Sequence, residues 1–192
     1  MELNSLSVIC LVIFLVVAVA YDLATHRIPN WLNITIVCFG AFFQVYLAGI
    51  EGLFSALLGL VAGLCCFLPF YIAGAMGAGD VKLLAAVGCF FGPLPTLQAA
   101  IYTLIAGGVM ALITVLLSGG LAALARRYYA MVCIYIGTGK FFYQPPQSTD
   151  IAGMKLAYAL PIALGSVWVL ISRDLIDATA LQKALTAVLG GF

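Results

Sequence analysis

Charge is what this chain has least of. Its 192 residues include only seven acidic and eight basic side chains and a single histidine. Charged residues make up 8% of the chain, against roughly 25% in a soluble domain. With 65% hydrophobic residues and a mean hydropathy of +1.21, the composition excludes a soluble fold. It predicts an integral membrane protein whose helices pack in lipid. The net charge of +1, with no basic stripe, excludes nucleic acid as a partner. No long polar stretch is present, so residues 1–192 read as a single membrane domain with no soluble companion. The cysteines form no C-x-x-C pair, which removes a zinc site, and they read as small apolar core residues. No metal or cofactor is expected. The N-terminus also lacks the basic residues of a secretory signal, carrying Glu2 instead, so the first apolar run reads as a retained helix.

What is there is a series of apolar runs near the roughly 20 residues a spanning helix needs. Six segments are expected, at about 6–22, 31–48, 53–74, 80–91, 97–117 and 154–172, giving an all-α polytopic fold. Pro29 stops the first helix, and Asn30 is placed to cap the second. Gly49 to Gly52 reads as a turn. The connection 118–153 is the only long one with polar residues, among them Arg126, Arg127 and Lys140. Within it, Tyr128 to Ile136 is too short to span and reads as an interfacial helix, a seventh span being the alternative. The C-terminal run from Leu175 to Phe192 is assigned no function. If the loop after the first helix is cytoplasmic, that side receives Arg27, Lys82, Arg126, Arg127, Lys140 and Lys155, and the other only Arg173 and Lys183. The positive-inside rule then places both termini outside the cytoplasm.

Against so few charges, two acids stand out. Asp22 ends the first apolar run, and Asp80 opens the fourth within Met76-Gly77-Ala78-Gly79-Asp80-Val81-Lys82. On the expected topology both fall on the cytoplasmic side at similar depth. An ionisable group at a membrane boundary is costly unless it faces a polar cavity, so it is a functional candidate. Two carboxylates sharing a site cannot both ionise easily. One keeps its proton and acts as acid, while the other takes a proton from a water held between them. Gly77 and Gly79 would let a substrate backbone approach Asp80.

Blander readings compete at each position. Asp80 could merely cap the fourth helix, and Asp22 could pair with Arg27 or His26. Gly77 and Gly79 could be plain loop glycines. Lys82 could be a snorkelling interface lysine that also biases Asp80. His26 reads as an interfacial residue, and Arg126 and Arg127 as topology or lipid-headgroup residues. A non-enzymatic membrane component, such as a small transporter or assembly scaffold, is the alternative to an enzyme. Transporters usually show repeated halves, and no internal repeat is evident.

Taken together, Asp22 followed by Arg27-Ile28-Pro29-Asn30, and Gly77-Ala78-Gly79-Asp80-Val81-Lys82-Leu83, resemble the type IV prepilin peptidases, the GxGD aspartic membrane proteases. A third stretch, Lys155-Leu156-Ala157-Tyr158-Ala159-Leu160-Pro161-Ile162-Ala163-Leu164-Gly165, is similar to the family's K-x-P-Y-G-x-A-I-A-x-G segment. Ala157 and Ala159 replace the usual Pro and Gly. The resemblance covers essentially the whole chain. It implies that Asp22 and Asp80 are the catalytic pair, with Arg27, Pro29, Asn30, Lys155 and Tyr158 supporting the motifs. It implies a substrate class as well: pilin-like precursors with a short basic leader ending in Gly, followed by a hydrophobic helix and cleaved at the cytoplasmic face of the bacterial inner membrane. Bifunctional members carry an extra cytoplasmic domain with cysteine pairs and also N-methylate the product. With only Leu23 to Asn30 at that place, this chain resembles the minimal members of tight-adherence (Flp-type) pilus systems, so no methylation is expected. Membrane lipid is a further expected partner, and a homo-oligomer is open.

Overall fold

The computed structural model describes residues 4–117, Tyr129 and 157–173. Among them every regular element is a helix: α1 Ser5–Thr25, α2 Asn30–Ile72, α3 Ala78–Phe91, α4 Pro93–Leu117 and α5 Ala159–Ser172. The protein is therefore an all-α membrane protein, as its composition requires. Helices α1, α2 and α4 are long and apolar enough to cross a membrane. Helices α3 and α5 have 14 residues each, about 21 Å at 1.5 Å per residue. The expected interfacial segment (apart from Tyr129), Arg126, Arg127, Lys140, Lys155 and the C-terminal run lie outside the described residues.

The chain forms two compact units, residues 1–106 with 157–192, and residues 107–156. The described part of the second unit is the end of α4, where the Thr114 hydroxyl donates to the Met110 carbonyl, together with an exposed Tyr129. The first unit holds everything that follows.

The two expected segments, 31–48 and 53–74, are the two helical stretches of α2. They meet at a kink at Ala48 and Gly49, the leading edge of the turn expected over 49–52, where Gly49 takes φ 58°. Glycine alone adopts that conformation without strain. The chain doubles back there, because a Cβ on Gly52 would strike the Gln44 carbonyl. α2 thus has two antiparallel arms, before and after the kink.

Helix α3 lies against both arms. Gly40 of the first arm meets Cys89 and Phe90, and the Gln44 amide donates to the Phe90 carbonyl at 2.6 Å. Gly59 and Gly63 of the second arm meet Gly88 and Ala85. Gly52, Ala56, Gly59 and Gly63 form a buried stripe at helical spacing. Small residues at this spacing let helix backbones touch, the usual way helices associate in lipid, where burying apolar surface gives no driving force. At Gly59 and Gly88 the approach is closest, since a Cβ on either would strike the other's carbonyl oxygen.

Helix α1 runs antiparallel to the first arm. Its Phe14 ring packs edge-on against Phe39, and its Tyr21 ring against Trp31. Helix α5 packs on α4 through Gly165, against Thr103 and Ala99. The end of α1 and the starts of α2, α3 and α5 therefore meet at one end of this unit.

Candidate active site

The chain between α1 and α2 is shaped by three residues. His26 turns left-handed (φ 50°) and its N–H donates to the Asp22 carbonyl at 2.8 Å, ending α1. The Thr25 hydroxyl donates to the carbonyls of Tyr21 and Arg27. Pro29, extended at φ −67° and ψ 139°, is the residue that caps α2. This corrects the expectation for Asn30, which is the first helical residue and makes no cap. Its side-chain oxygen instead accepts a hydrogen bond from the Lys82 ammonium at 3.0 Å. Ile28 is buried and lies against Gly79, where a Cβ would come within 3.3 Å of the Ile28 Cβ. The stretch after α1 is thus fastened to α3 on both sides of Asp80.

Asp22 is 5% exposed and Asp80 8% exposed. Each carboxyl has one oxygen held by a backbone N–H at a helix start. Asp22 Oδ2 accepts from the Ala159 amide of α5 at 3.0 Å. Asp80 Oδ2 accepts from the Gly77 amide at 3.0 Å, and the Asp80 N–H donates back to the Gly77 carbonyl at 3.2 Å. Gly77 caps α3, and Asp80 is its third residue rather than its cap. Backbone N–H groups at a helix start lack partners within the helix and carry partial positive charge, so a carboxylate is a fitting partner. Gly77 has an ordinary φ of −78°. Its value here is space, since a Cβ would come within 3.1 Å of Asp80 Oδ2.

Asp80 lies outside the three spanning helices, and its carboxyl is pushed up to about 6. Burial is the largest cause; the Gly77 N–H opposes it and the negative charge of Asp22 adds to it. Tyr158, the residue before α5, is half-buried, and its phenol is raised by burial and then by the charge of Asp80.

A family model, the type IV leader peptidase family, matches residues 9–116, more than half of the chain. The chain belongs to the type IV leader peptidase family. Searches of curated proteins and of solved structures return no match. The protein is thus a membrane peptidase acting on pilin-like precursors in general. The matched span contains both acids, both glycines and the stretch after α1.

In this leader peptidase the residues singled out in the sequence fall into three groups. Asp22, Asp80, Gly77, Gly79 and Tyr158 come together. Asn30, Pro29 and Lys82 hold the frame, with Lys82 engaging Asn30 rather than Asp80. Arg27 and His26 are exposed, and the observed partner of the Asp22 carboxylate is Ala159. That amide is not legible in the sequence: Ala159 reads there only as a departure from Gly, and nothing local marks which backbone N–H meets a side chain 137 positions away.

Proposed function

We propose that the chain is an aspartic endopeptidase using Asp22 and Asp80 to activate water. The observation that carries this is the paired anchoring: each carboxyl has one oxygen fixed by a backbone N–H and, among the described residues, one with no hydrogen-bond partner. Asp80, raised by burial and by its neighbour's charge, keeps its proton on the free oxygen. The free oxygen of Asp22 takes a proton from water held between the two. That water attacks the scissile carbonyl as Asp80 gives its proton to the carbonyl oxygen. When the tetrahedral diol collapses, Asp22 passes the proton it took from water to the leaving amine and Asp80 takes one back from the diol, which restores the pair. The dyad titrates as a pair.

The substrates are pilin-like precursors of the Flp type, with a Gly-terminated basic leader and a hydrophobic helix. The enzyme sits in the bacterial inner membrane with its acids facing the cytoplasm, the side to which the positive-inside rule assigns Arg27 and Lys82. Product methylation is not expected, since α1 and α2 are separated only by residues 26–29.

Asp22→Asn and Asp80→Asn should each abolish processing of a co-expressed precursor, with losses of at least about a hundredfold, while membrane levels of the protein stay unchanged. Normal processing in either variant would remove that residue from the mechanism.

A further inference from the structure

Asn33 is 5% exposed, and among the described residues neither its amide nitrogen nor its carbonyl oxygen has a hydrogen-bond partner. A buried polar group left unpaired is destabilising, so a carboxamide with both groups idle marks an unfinished site. It shares one face of the first arm of α2 with Gly40 and Gln44, the face that meets α3.

The packing register fixes its depth. Phe14 meets Phe39 and Tyr21 meets Trp31, which puts Asp22 level with about residue 30 of α2. Gly79 meets Ile28 and Lys82 meets Asn30, which puts Asp80 near the same level. Asn33 is three to four residues deeper, about 5 Å along the helix at 1.5 Å per residue. An extended peptide rises about 3.3 Å per residue, so that depth is one to two residues of chain.

We propose that Asn33 is a positioning residue for the substrate. Its carboxamide binds the backbone of the residue one to two positions past the scissile bond, on the side of the hydrophobic helix. The Asn33 oxygen accepts that residue's N–H and its Nδ2 donates to the same residue's carbonyl, the two groups an extended residue presents on one side. The two bonds hold the first turn of the substrate helix open so that the scissile carbonyl can reach the acids. Asp22 and Asp80 are about as buried as Asn33, so a substrate that reaches the acids must also find the arm beside them uncovered. This inference rests on the peptidase reading above.

The test is cleavage kinetics of the full-length protein in detergent, with a purified precursor and with precursors carrying an ester in place of one amide. Asn33→Leu and Asn33→Ala remove both bonds and should raise KM at least about tenfold, with a smaller effect on kcat. An ester at the second peptide group past the cleavage site, which removes its N–H, should raise KM in the wild type and have no further effect in either variant. Unchanged KM in both variants, or an ester effect of equal size with and without Asn33, would overturn the proposal. If both variants fail to fold, the wild type decides alone: an ester effect confined to the first two positions supports the site, and one no larger there than farther along overturns it. Binding of uncleaved precursor to Asp80→Asn, with and without Asn33→Leu, separates the two readings. Asn33-dependent binding without wild-type cleavage would reject the peptidase and keep the site. Binding indifferent to Asn33 would reject the site alone.

Discussion

Asp80 is placed where its own charge is disfavoured, by burial and by the neighbouring Asp22, and one backbone N–H only partly offsets this. Its proton is accordingly held to higher pH than in a solvated aspartate. The sign follows from the mechanism proposed above, in which Asp80 is the acid. Below about 6 Asp80 carries the proton that the acid step needs, and as pH rises through that value the proton is lost. The rate should therefore fall toward neutral and alkaline pH, with a midpoint at or above about 6, since a bound apolar substrate excludes more water. Initial rates measured from about pH 5 to 8 should show this descending limb; a flat profile would contradict a shared proton. At this scale the acids were legible because charge is so scarce that each acid is conspicuous. Asn33 was not, because an asparagine inside an apolar run gives no sign of whether its amide is paired.

Helices here are arranged by what they lack as much as by what they carry. The glycine stripe of the second arm and Gly88 of α3 allow backbone contact that brings α3 against the hairpin of α2. That contact sets the height of Asp80, which sits two turns from Gly88 on the same helix. Gly88→Ala and Gly59→Ala should each cost about 1–3 kcal/mol through overpacking, and they should lower activity by displacing α3. Gly108→Ala, where a Cβ meets nothing within 4 Å, is the control and should be neutral or slightly stabilising, since alanine favours helix over glycine. Thermal unfolding in detergent checks the series, and a Gly88→Ala protein as stable as the wild type would reject the close-contact account. Apolar length placed the helices, but two features needed the fold. The reversal of α2 is centred on Ala48 and Gly49, at the leading edge of the turn read over 49–52, and the starts of α2 and α3 are set by Pro29 and Gly77, not by Asn30 and Asp80. Residue types signal that a helix begins nearby, but which residue caps it depends on where competing partners lie. Lys82 draws Asn30 away from capping, and the Gly77 amide draws Asp80 into the first turn.

For the whole molecule the open question is direction, since helices packed against one another do not say which end faces the cytoplasm. The acid end carries Arg27 and Lys82, and the opposite end of the α2 hairpin carries Glu51 beside the kink. The attraction of basic residues to the cytoplasmic side favours the proposed orientation, with the acids facing inward. Ala24, in the last turn of α1, and Ile50, next to the kink, are both exposed and lie at opposite ends. In a background with the six native cysteines replaced, Ala24→Cys should resist a membrane-impermeant maleimide in intact cells and react in inverted membrane vesicles. Ile50→Cys should do the reverse. Labelling of Ala24→Cys in intact cells would turn the protein over and place the acids on the wrong side for a cytoplasmic leader. Processing lost in Asp22→Asn, together with that labelling, would keep the chemistry and reject the topology, so the two can fail independently.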